Sequence, residues 1–441
     1  TWEINIKLER GRILNQATYI KDKKNILILL YGFFSCMPLI SFLGYTIFIW
    51  MCLVVLLSWG IEIYLNNSKI IYQRYCNWYL VIAIFSCISA VLCLNSSMGQ
   101  IWKNGQLKNL ALIVVYTLIF IMFATDKNIT KAESFLKGLY YSALFQIFWG
   151  FLQLIFYKKG VLINDIIFVK ILHMSTESVT QLKATGIALS GFCWNAANMA
   201  PLIAFAYVYT RKLSVKLVVI LFSILCGNRT ALIGIAFAVC LELLWRFIMS
   251  KLSMQYRYLV LMGVIIVIAL LALICSTSLR NDVLNKMDKI FSIFSLSTLS
   301  TEGSASIHTR YLTSIPEIMG RSKIMHILFG YGLGNSGYPF TTFLGQWSWL
   351  DIGAWVVECE YVNWIWSTGI FGFLLMLSWI LYYIYKMLKD GRYNRYLLFL
   401  LIILAQGFFY NIIFNWCLIT IMCIIVVFEN KRRIMSEIEY K

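Results

Sequence analysis

The sequence predicts an all-α polytopic membrane protein with about twelve transmembrane helices. Hydrophobic residues make up 60% of the 441 residues and charged residues only 13%, and the mean hydropathy is +0.76. A soluble protein carries about 25% charged residues, so this composition would leave large apolar surfaces uncovered in water. In addition, apolar runs of about 20 residues recur along the chain, and Lys and Arg cluster between them. These observations exclude a soluble enzyme, a disordered chain and a disulfide-stapled secreted domain.

The apolar runs, taken in order, form a single integral membrane domain over residues 1–441. Pro38 and Gly44 divide the first long run into two spans, and the last run divides somewhere between Gln406 and Asn415. Since the first run is too long and follows charged residues, we expect no cleavable signal peptide. The predicted spans are 25–43, 45–65, 77–95, 107–124, 134–157, 187–209, 213–227, 230–249, 257–276, 362–385, 396–410 and 412–428.

The positions of Lys and Arg predict the orientation of these spans. When the N-terminus is placed in the cytoplasm, most of the 38 Lys and Arg residues fall in cytoplasmic segments. Most of the others fall in two long outer loops, which the positive-inside rule does not count. Both termini are therefore predicted to be cytoplasmic. The net charge of +18 is then a topology signal rather than a sign of nucleic-acid binding, which would need a continuous basic face on a soluble segment.

Two long outer loops, 158–186 and 277–361, contain the residue types that carry chemistry. All three histidines lie in them, and the larger loop also holds seven acidic residues. Most of the twelve cysteines lie inside apolar runs, and only Cys193 and Cys359 are placed to reach an oxidising compartment. The alternatives for these two are a mutual disulfide and free, buried thiols. No metal-ligand spacing is visible, so we expect no metal and no cofactor.

Ionisable residues at membrane depth usually have a partner or a function. Arg229 lies in the short outer turn 226–230 (CGNRT), where the topology rule disfavours an arginine. Its small and polar neighbours leave room for an anionic ligand, whereas the alternative is an arginine that reaches the lipid headgroups. Glu242 and Arg246 lie four residues apart near a cytoplasmic helix end, and we expect a structural ion pair there.

A second arginine, Arg310, lies on a predicted amphipathic helix of the larger loop. Apolar residues recur at helical spacing from Ile307 to Ile318, and Pro316 is expected to kink this helix or to begin its second part. Polar residues fall on the opposite face. For Glu317 and Arg321 we favour a solvated stripe.

The segment 328–337 (LFGYGLGNSG) is dense in glycine, so that its amides could approach a phosphate or a sugar closely, although a tight turn is the alternative. Further along, Glu358 and Glu360 precede the tenth span. A carboxylate at a dry membrane boundary can act as a general base, and a solvated loop charge is the alternative. Five tryptophans crowd the same boundary, as an aromatic belt or in part as a platform for sugars: Trp347, Trp349, Trp355, Trp364 and Trp366.

Together these blocks resemble the bacterial O-antigen polymerase and O-antigen ligase family, which are membrane glycosyltransferases of the GT-C type. The block 225–232 (LCGNRTAL) resembles the family's Ser-Arg-Thr/Gly motif. The second match couples Arg310 to 329–335 (FGYGLGN), and the third runs from Glu360-Tyr361 to 369–372 (GIFG). A fainter match joins 183–186 (KATG) to 195–198 (NAAN), where Lys183 replaces the usual arginine. The blocks follow the family order over roughly residues 183–375, with matching topology.

The resemblance implies a polymerase of surface polysaccharide, O-antigen or capsule, in the bacterial inner membrane. The family ligases carry His-Asn where this chain has Glu358-Cys359, which favours the polymerase branch. The donor would be a glycan on undecaprenyl diphosphate, and the acceptor a sugar hydroxyl of another lipid-linked repeat unit. Partners implied are these lipid-linked oligosaccharides, the bilayer, and a chain-length regulator and flippase of the same pathway.

The resemblance also implies roles for individual residues. Two arginines would neutralise the departing diphosphate, and one of three residues would act as the base. The implied catalytic residues are Arg229, Arg310, Glu360, Glu358 and His308, and the implied substrate-binding residues are Lys183, Asn198, Tyr331, Gly332, Gly334, Asn335, Tyr361 and Asn363. The alternatives are a ligase that transfers the glycan to lipid A core and, from another class, a transporter of the lipid-linked sugar.

Overall fold

The computed structural model describes most of the chain outside its N-terminus and the region between 250 and 309. The described residues are 25–42, 45–65, 70, 72–125, 129–174, 182–183, 186–187, 189–193, 196–226, 228–249, 310–345, 355–390, 394–411 and 416–439. They are mostly helical. The predicted fold class is thus confirmed at the level of a helical protein with apolar helices.

The helices are named in chain order. They are α1 (Ile26–Phe34), α2 (Ile47–Leu65), α3 (Cys76–Leu94), α4 (Gln100–Lys103), α5 (Gln106–Thr125), α6 (Thr130–Lys158), α7 (Ala196–Tyr209), α8 (Leu213–Leu225), α9 (Arg229–Met249), α10 (Ile315–Arg321), α11 (Ile324–Phe329), α12 (Tyr338–Leu344), α13 (Glu360–Lys389), α14 (Arg395–Gln406) and α15 (Trp416–Glu439). A π-helix covers Asp165–Ile171. Two antiparallel two-residue pairs, β1 (Ser41–Phe42) with β2 (Tyr45–Thr46) and β3 (Leu182–Lys183) with β4 (Gly186–Ile187), complete the secondary structure.

Five helical segments of the described chain are long and apolar enough to cross a membrane. They are Ile47–Leu65, Cys76–Leu94, Gln100–Thr125, Thr130–Lys158 and Glu360–Lys389. Shorter apolar helices of 10 to 17 residues cover Ala197–Tyr209, Leu213–Leu225, Thr230–Glu242 and Arg395–Gln406. These segments coincide with predicted spans, whereas the predicted span 257–276 lies outside the described residues.

The structure changes the limits of several predicted spans. The run predicted over 25–43 is helical only to Phe34, because Pro38 removes a backbone donor and ends regular structure there. The run predicted over 187–209 becomes helical only at Ala196, and 189–193 form a turn instead. The division predicted near residues 406–415 is confirmed, since α14 ends at Gln406 and α15 begins at Trp416.

The helices pack closely where small residues face each other. A Cβ added at Gly32 of α1 would lie 2.1 Å from the carbonyl oxygen of Phe135, and one added at Gly138 of α6 would lie 2.0 Å from that of Leu29. Glycine therefore allows the α1 and α6 backbones to touch. The apolar part of α15, from Cys417 to Val427, is almost completely buried, so this helix runs through the core.

The two ends of the bundle differ in character. At one end, here called the ion-pair end, Lys131 pairs with Glu62, Lys431 with Glu133, and Lys386 with Glu429. The opposite end, here called the loop end, collects the segments 95–105, 159–174, 189–193, 310–345, 355–359 and 407–411. The described parts of the two loops that the sequence marked as chemically rich, 158–186 and 277–361, lie at this loop end.

Candidate functional site

The first turn of α13 places one of the predicted acids inside the protein. Glu360, its first residue, is fully buried, and its backbone N–H donates to the carbonyl of Gly407 at 2.8 Å. Glycine at position 407 favours this approach, because a Cβ added there would lie only 3.3 Å from the Cβ of Glu360. Glu358, two residues earlier, is exposed to solvent. The two predicted carboxylates thus occupy a dry and a wet environment at the start of the same helix.

The first turn of α9 also contacts the end of α14, next to Gly407. Asn228 caps this helix, since its Oδ1 accepts from the Ala231 N–H at 2.9 Å. The side chain of Gln406, at the end of α14, donates to the carbonyl of Thr230 at 3.2 Å. Gly234 leaves the space for that side chain, as a Cβ there would lie 2.1 Å from the Gln406 Nε2.

The last turn of α14 therefore joins two helix starts. Gln406 binds the first turn of α9, which begins at Arg229, and the adjacent Gly407 binds the first residue of α13. The positive ends of two helix dipoles consequently meet there, which favours an anion nearby. The Arg229 side chain itself lies outside the described part of the structure.

Arg310 is brought to the same end by its neighbour Tyr311. Arg310 is exposed, whereas Tyr311 is buried against Val357 and Cys359 in one apolar cluster. The Tyr311 hydroxyl is hydrogen-bonded to the backbone of Glu358, and burial, together with the nearby Glu358 carboxylate, raises the pKa of Tyr311. This contact fixes the Arg310 turn beside the segment that leads into α13.

The predicted amphipathic helix is largely confirmed within the described residues. A helical turn at 310–313 is followed by α10, with Pro316 in its first turn. Ile318 is fully buried, and the exposed Arg321 and Glu317 pair at 2.7 Å on the outer face. Arg321 and Glu317 therefore form the solvated stripe that the sequence favoured.

The glycine-dense segment is a packing element and not an open cradle. The N–H groups of Tyr331 and Gly332 donate to the carbonyls of Trp366 and Ser367, at 2.7 and 3.2 Å. These two amides are therefore engaged with α13, and substrate contacts of Tyr331 and Gly332 stay a prediction. Gly334, half-buried with a φ of +81°, serves the turn that follows.

Asn335 and the adjacent loop are also held by the protein itself. The Asn335 side chain donates to the carbonyl of Trp102 at 2.7 Å and is almost completely buried. Gln106 and Asn109 donate to the carbonyl of Leu333, at 2.9 and 2.7 Å. These polar side chains tie the segment to α4 and α5, and a sugar-binding role for Asn335 stays a prediction.

Three aromatic residues of this region are likewise internal, namely Tyr331, Trp364 and Trp366. His326 stacks on Tyr331 with ring centroids 4.4 Å apart, and the Tyr331 hydroxyl donates to Ser322 at 2.7 Å. Burial raises the pKa of Tyr331 to about 12, so that its hydroxyl stays protonated. Trp364 and Trp366 are fully buried, which excludes them from an aromatic belt and from a surface platform for sugars.

Of the remaining predicted residues, Asn363, Tyr361 and Asn198 have side chains that the structure describes, whereas Lys183 and His308 do not. Asn363 is buried, and its Oδ1 accepts a hydrogen bond from the Ser367 hydroxyl at 3.0 Å. The Tyr361 hydroxyl donates to the carbonyl of Leu404, and the ring centroids of Tyr361 and Phe408 lie 4.5 Å apart. Asn198 is half-buried in the first turn of α7. The Lys183 backbone belongs to the β3–β4 pair, and its side chain lies outside the described residues, as does the whole of His308.

Sequence reasoning missed the residues that hold the site together. Gln406, Gly407 and Tyr311 carry no charge, and none belongs to a recognisable motif. A signal was nonetheless present, because a glutamine within an apolar run costs free energy in a membrane unless it has a partner.

Within the described residues, no group of three or more His, Cys, Asp or Glu side chains is arranged to hold a metal ion.

Two further sequence predictions concern thiols and an ion pair. Cys193 and Cys359 are free and buried in separate apolar clusters, so within the described residues the free-thiol alternative is confirmed. The Glu242 carboxylate forms an ion pair with Lys216, at 2.6 Å. The side chain of Arg246, the partner that the sequence predicted, lies outside the described residues.

No protein-family model matches the sequence, and no curated protein sequence matches it.

Proposed function

We propose that this chain polymerises surface-polysaccharide repeat units at the loop end of the bundle. A glycan carried on undecaprenyl diphosphate would be transferred to a sugar hydroxyl of a second lipid-linked unit. The observation that carries the proposal is that the last turn of α14 holds the Arg229 helix start and the first residue of α13 together, while the Arg310 turn packs against the 357–359 segment that leads into α13.

The proposed step needs one base and a stabiliser of negative charge. The acceptor oxygen forms a bond to the anomeric carbon of the donor, the bond from that carbon to the diphosphate breaks, and the acceptor proton passes to a carboxylate. Arg310, together with Arg229, would stabilise the departing diphosphate. The base would be one of the two carboxylates at the start of α13: Glu360 offers a dry site, and Glu358 offers direct access from solvent.

The test is elongation of lipid-linked repeat units by purified protein, followed as a chain-length ladder on a gel. We expect Arg310→Ala to reduce elongation about 100-fold, because one charge-stabilising group is lost. Arg321→Ala is the matched control, since this exposed arginine lies one helix further on and is paired with Glu317. An unchanged ladder in Arg310→Ala, or equal losses in both variants, would contradict the proposal.

A second pair of variants assigns the base. Replacing the catalytic carboxylate by glutamine removes the proton acceptor, and we expect about a 100-fold loss of rate for one of Glu360→Gln and Glu358→Gln. Glu317→Gln serves as the control for an exposed acid at the same end. If both variants at the start of α13 elongate normally, the base lies elsewhere and this part of the proposal fails.

The same purified system separates the alternatives. A ligase would require lipid A core as acceptor and would leave repeat units alone at their original length. A transporter would give no elongation in detergent, where there is no second compartment. A ladder formed from lipid-linked units without lipid A core therefore supports the polymerase, and its absence with protein that is folded overturns it.

A further inference from the structure

An open cavity of about 910 Å³ lies at the ion-pair end, far along both helices from the candidate site. It is formed between the beginning of α3 and the C-terminal half of α13. Gln73 and Arg74 line it just before α3, and Val81 lines it one turn and a half further along that helix. On the other wall, Lys386 lies near the end of α13 and Leu375 three turns deeper. The cavity is therefore polar at the end of the bundle and apolar towards its middle.

The polar end of this cavity carries an excess of positive charge. Lys386 is neutralised, because it pairs with Glu429. Arg74 is exposed, and within the described residues no acidic side chain forms an ion pair with it. The 19-residue helix α3 begins beside it, so that the positive end of the helix dipole adds to the guanidinium charge.

Aromatic side chains give this cavity rigid walls. Trp78 and Tyr382 stack with ring centroids 5.2 Å apart at an interplanar angle of 25°. The Trp78 indole N–H donates to the carbonyl of Leu375 at 3.3 Å, which ties α3 to α13. Trp and Tyr prefer the headgroup level of a bilayer, where one edge of the ring is wet and the other apolar. The walls are thus suited to the boundary between headgroup and acyl chain.

We propose that this cavity binds an anionic diacyl phospholipid, with its phosphate on Arg74 and an acyl chain along Val81 and Leu375. A phosphate accepts two parallel hydrogen bonds from a guanidinium group. A zwitterionic headgroup would bring an additional cation to a mouth that is already positive. Basic pockets between membrane helices are known sites for anionic headgroups. This site is independent of the proposed polymerase activity.

The experiment measures thermal unfolding of the full-length protein in detergent during titration with defined lipids. The probes are dioleoylphosphatidylglycerol, dioleoylphosphatidylcholine and inorganic phosphate. We expect the anionic lipid to raise the unfolding temperature at a concentration about fivefold lower than the zwitterionic lipid does, as one basic contact provides a preference of that order. Arg74→Gln should reduce this preference to less than twofold, and Arg74→Lys should retain part of it.

Arg211→Gln is the matched control, because Arg211 is also exposed in a short turn at the ion-pair end but does not line the cavity. It should keep the fivefold preference. Equal losses in both arginine variants would indicate general surface electrostatics and overturn the proposal. An equal effect of inorganic phosphate would show that the acyl chain contributes nothing, and would overturn it as well.

Discussion

At the residue scale, the best-defined interaction inside the helical bundle is the buried group around Glu242. Lys216 contacts both carboxylate oxygens of Glu242, at 2.7 and 2.6 Å, and the Tyr207 hydroxyl donates to one of them at 2.9 Å. Only 11% of the Lys216 side chain and 6% of the Glu242 side chain are exposed. A charge left alone in such a place has no water to solvate it. This ion pair therefore ties α7, α8 and α9 together.

We predict that Glu242→Gln lowers the free energy of unfolding by about 3–5 kcal/mol, because it leaves the Lys216 charge buried. Glu62→Gln is the matched control, since the Glu62–Lys131 pair is half-exposed and should contribute less than about 1 kcal/mol. The measurement is denaturant or thermal unfolding in one detergent. Similar losses in the two variants would show that burial does not set the strength of these pairs.

Individual residues also show where sequence reasoning stops. Arg310, Glu317 and Arg321 are exposed, as the polar face of the amphipathic helix predicted, and the structure adds that Arg321 pairs with Glu317. The glycine-dense segment could not be assigned in the same way, because one sequence can serve a ligand or a neighbouring backbone equally well. Only the contacts of Tyr331 and Gly332 with the carbonyls of α13 separate the two.

At the element scale, the kink in α13 explains one glycine of that segment, Gly330. Gly369 has a φ of 73° and a ψ of 177°, a conformation that is essentially restricted to glycine. A Cβ at this position would lie 2.1 Å from the carbonyl oxygen of Leu328, and one at Gly330 would lie 2.5 Å from the Ser367 carbonyl group. The end of α11 thus fits into the bend of α13 only because both backbones lack a side chain there.

Gly369→Ala should accordingly reduce stability by about 3 kcal/mol or more, since it adds backbone strain and a backbone clash that no rotamer change relieves. Gly60→Ala in α2 has open space around the new Cβ and should be neutral or stabilising. Unfolding temperature and the monodisperse fraction after purification report the difference. A Gly369→Ala protein as stable as Gly60→Ala would contradict the contact described here.

Hydropathy predicted most helices of the described chain, but it misplaced the limits of some of them, such as the start of α7. Hydropathy located α2, α3, α5, α6 and α13 within a few residues, because apolar length alone defines a span. The start of α7 was placed nine residues too early, since the described residues 187 and 189–193 are largely apolar without being helical. Hydropathy measures the preference of a segment for an apolar environment, and a buried turn shares that preference with a helix.

At the scale of the whole molecule, three ion pairs between helices and the long loops occupy opposite ends. The pairs Lys131–Glu62, Lys386–Glu429 and Lys431–Glu133 join different helices at one end. Each of these cations belongs to a segment that the positive-inside rule assigns to the cytoplasm. The candidate functional site lies at the other end, which the same rule places outside.

This orientation can be measured with a membrane-impermeant maleimide. We predict that Lys159→Cys in intact spheroplasts is labelled from outside, whereas Arg211→Cys is labelled only after permeabilisation, because the two exposed positions flank opposite ends of the bundle. Cys240, an exposed native thiol, is replaced by serine in both variants. The reverse pattern would invert the assignment, and labelling of both from one side would contradict the predicted topology.

The tie at the end of α14 has a consequence for how such a protein can diversify. Gln406 and Gly407 hold the first turns of α9 and α13 through one side-chain and one main-chain contact. The relative position of the two helix starts is thus set by the end of a third helix. In the proposed polymerase, insertions or replacements in the surrounding loops would adapt the surface to a different sugar without moving these two helix starts. Sugar specificity and reacting geometry would then be encoded in separate stretches of chain.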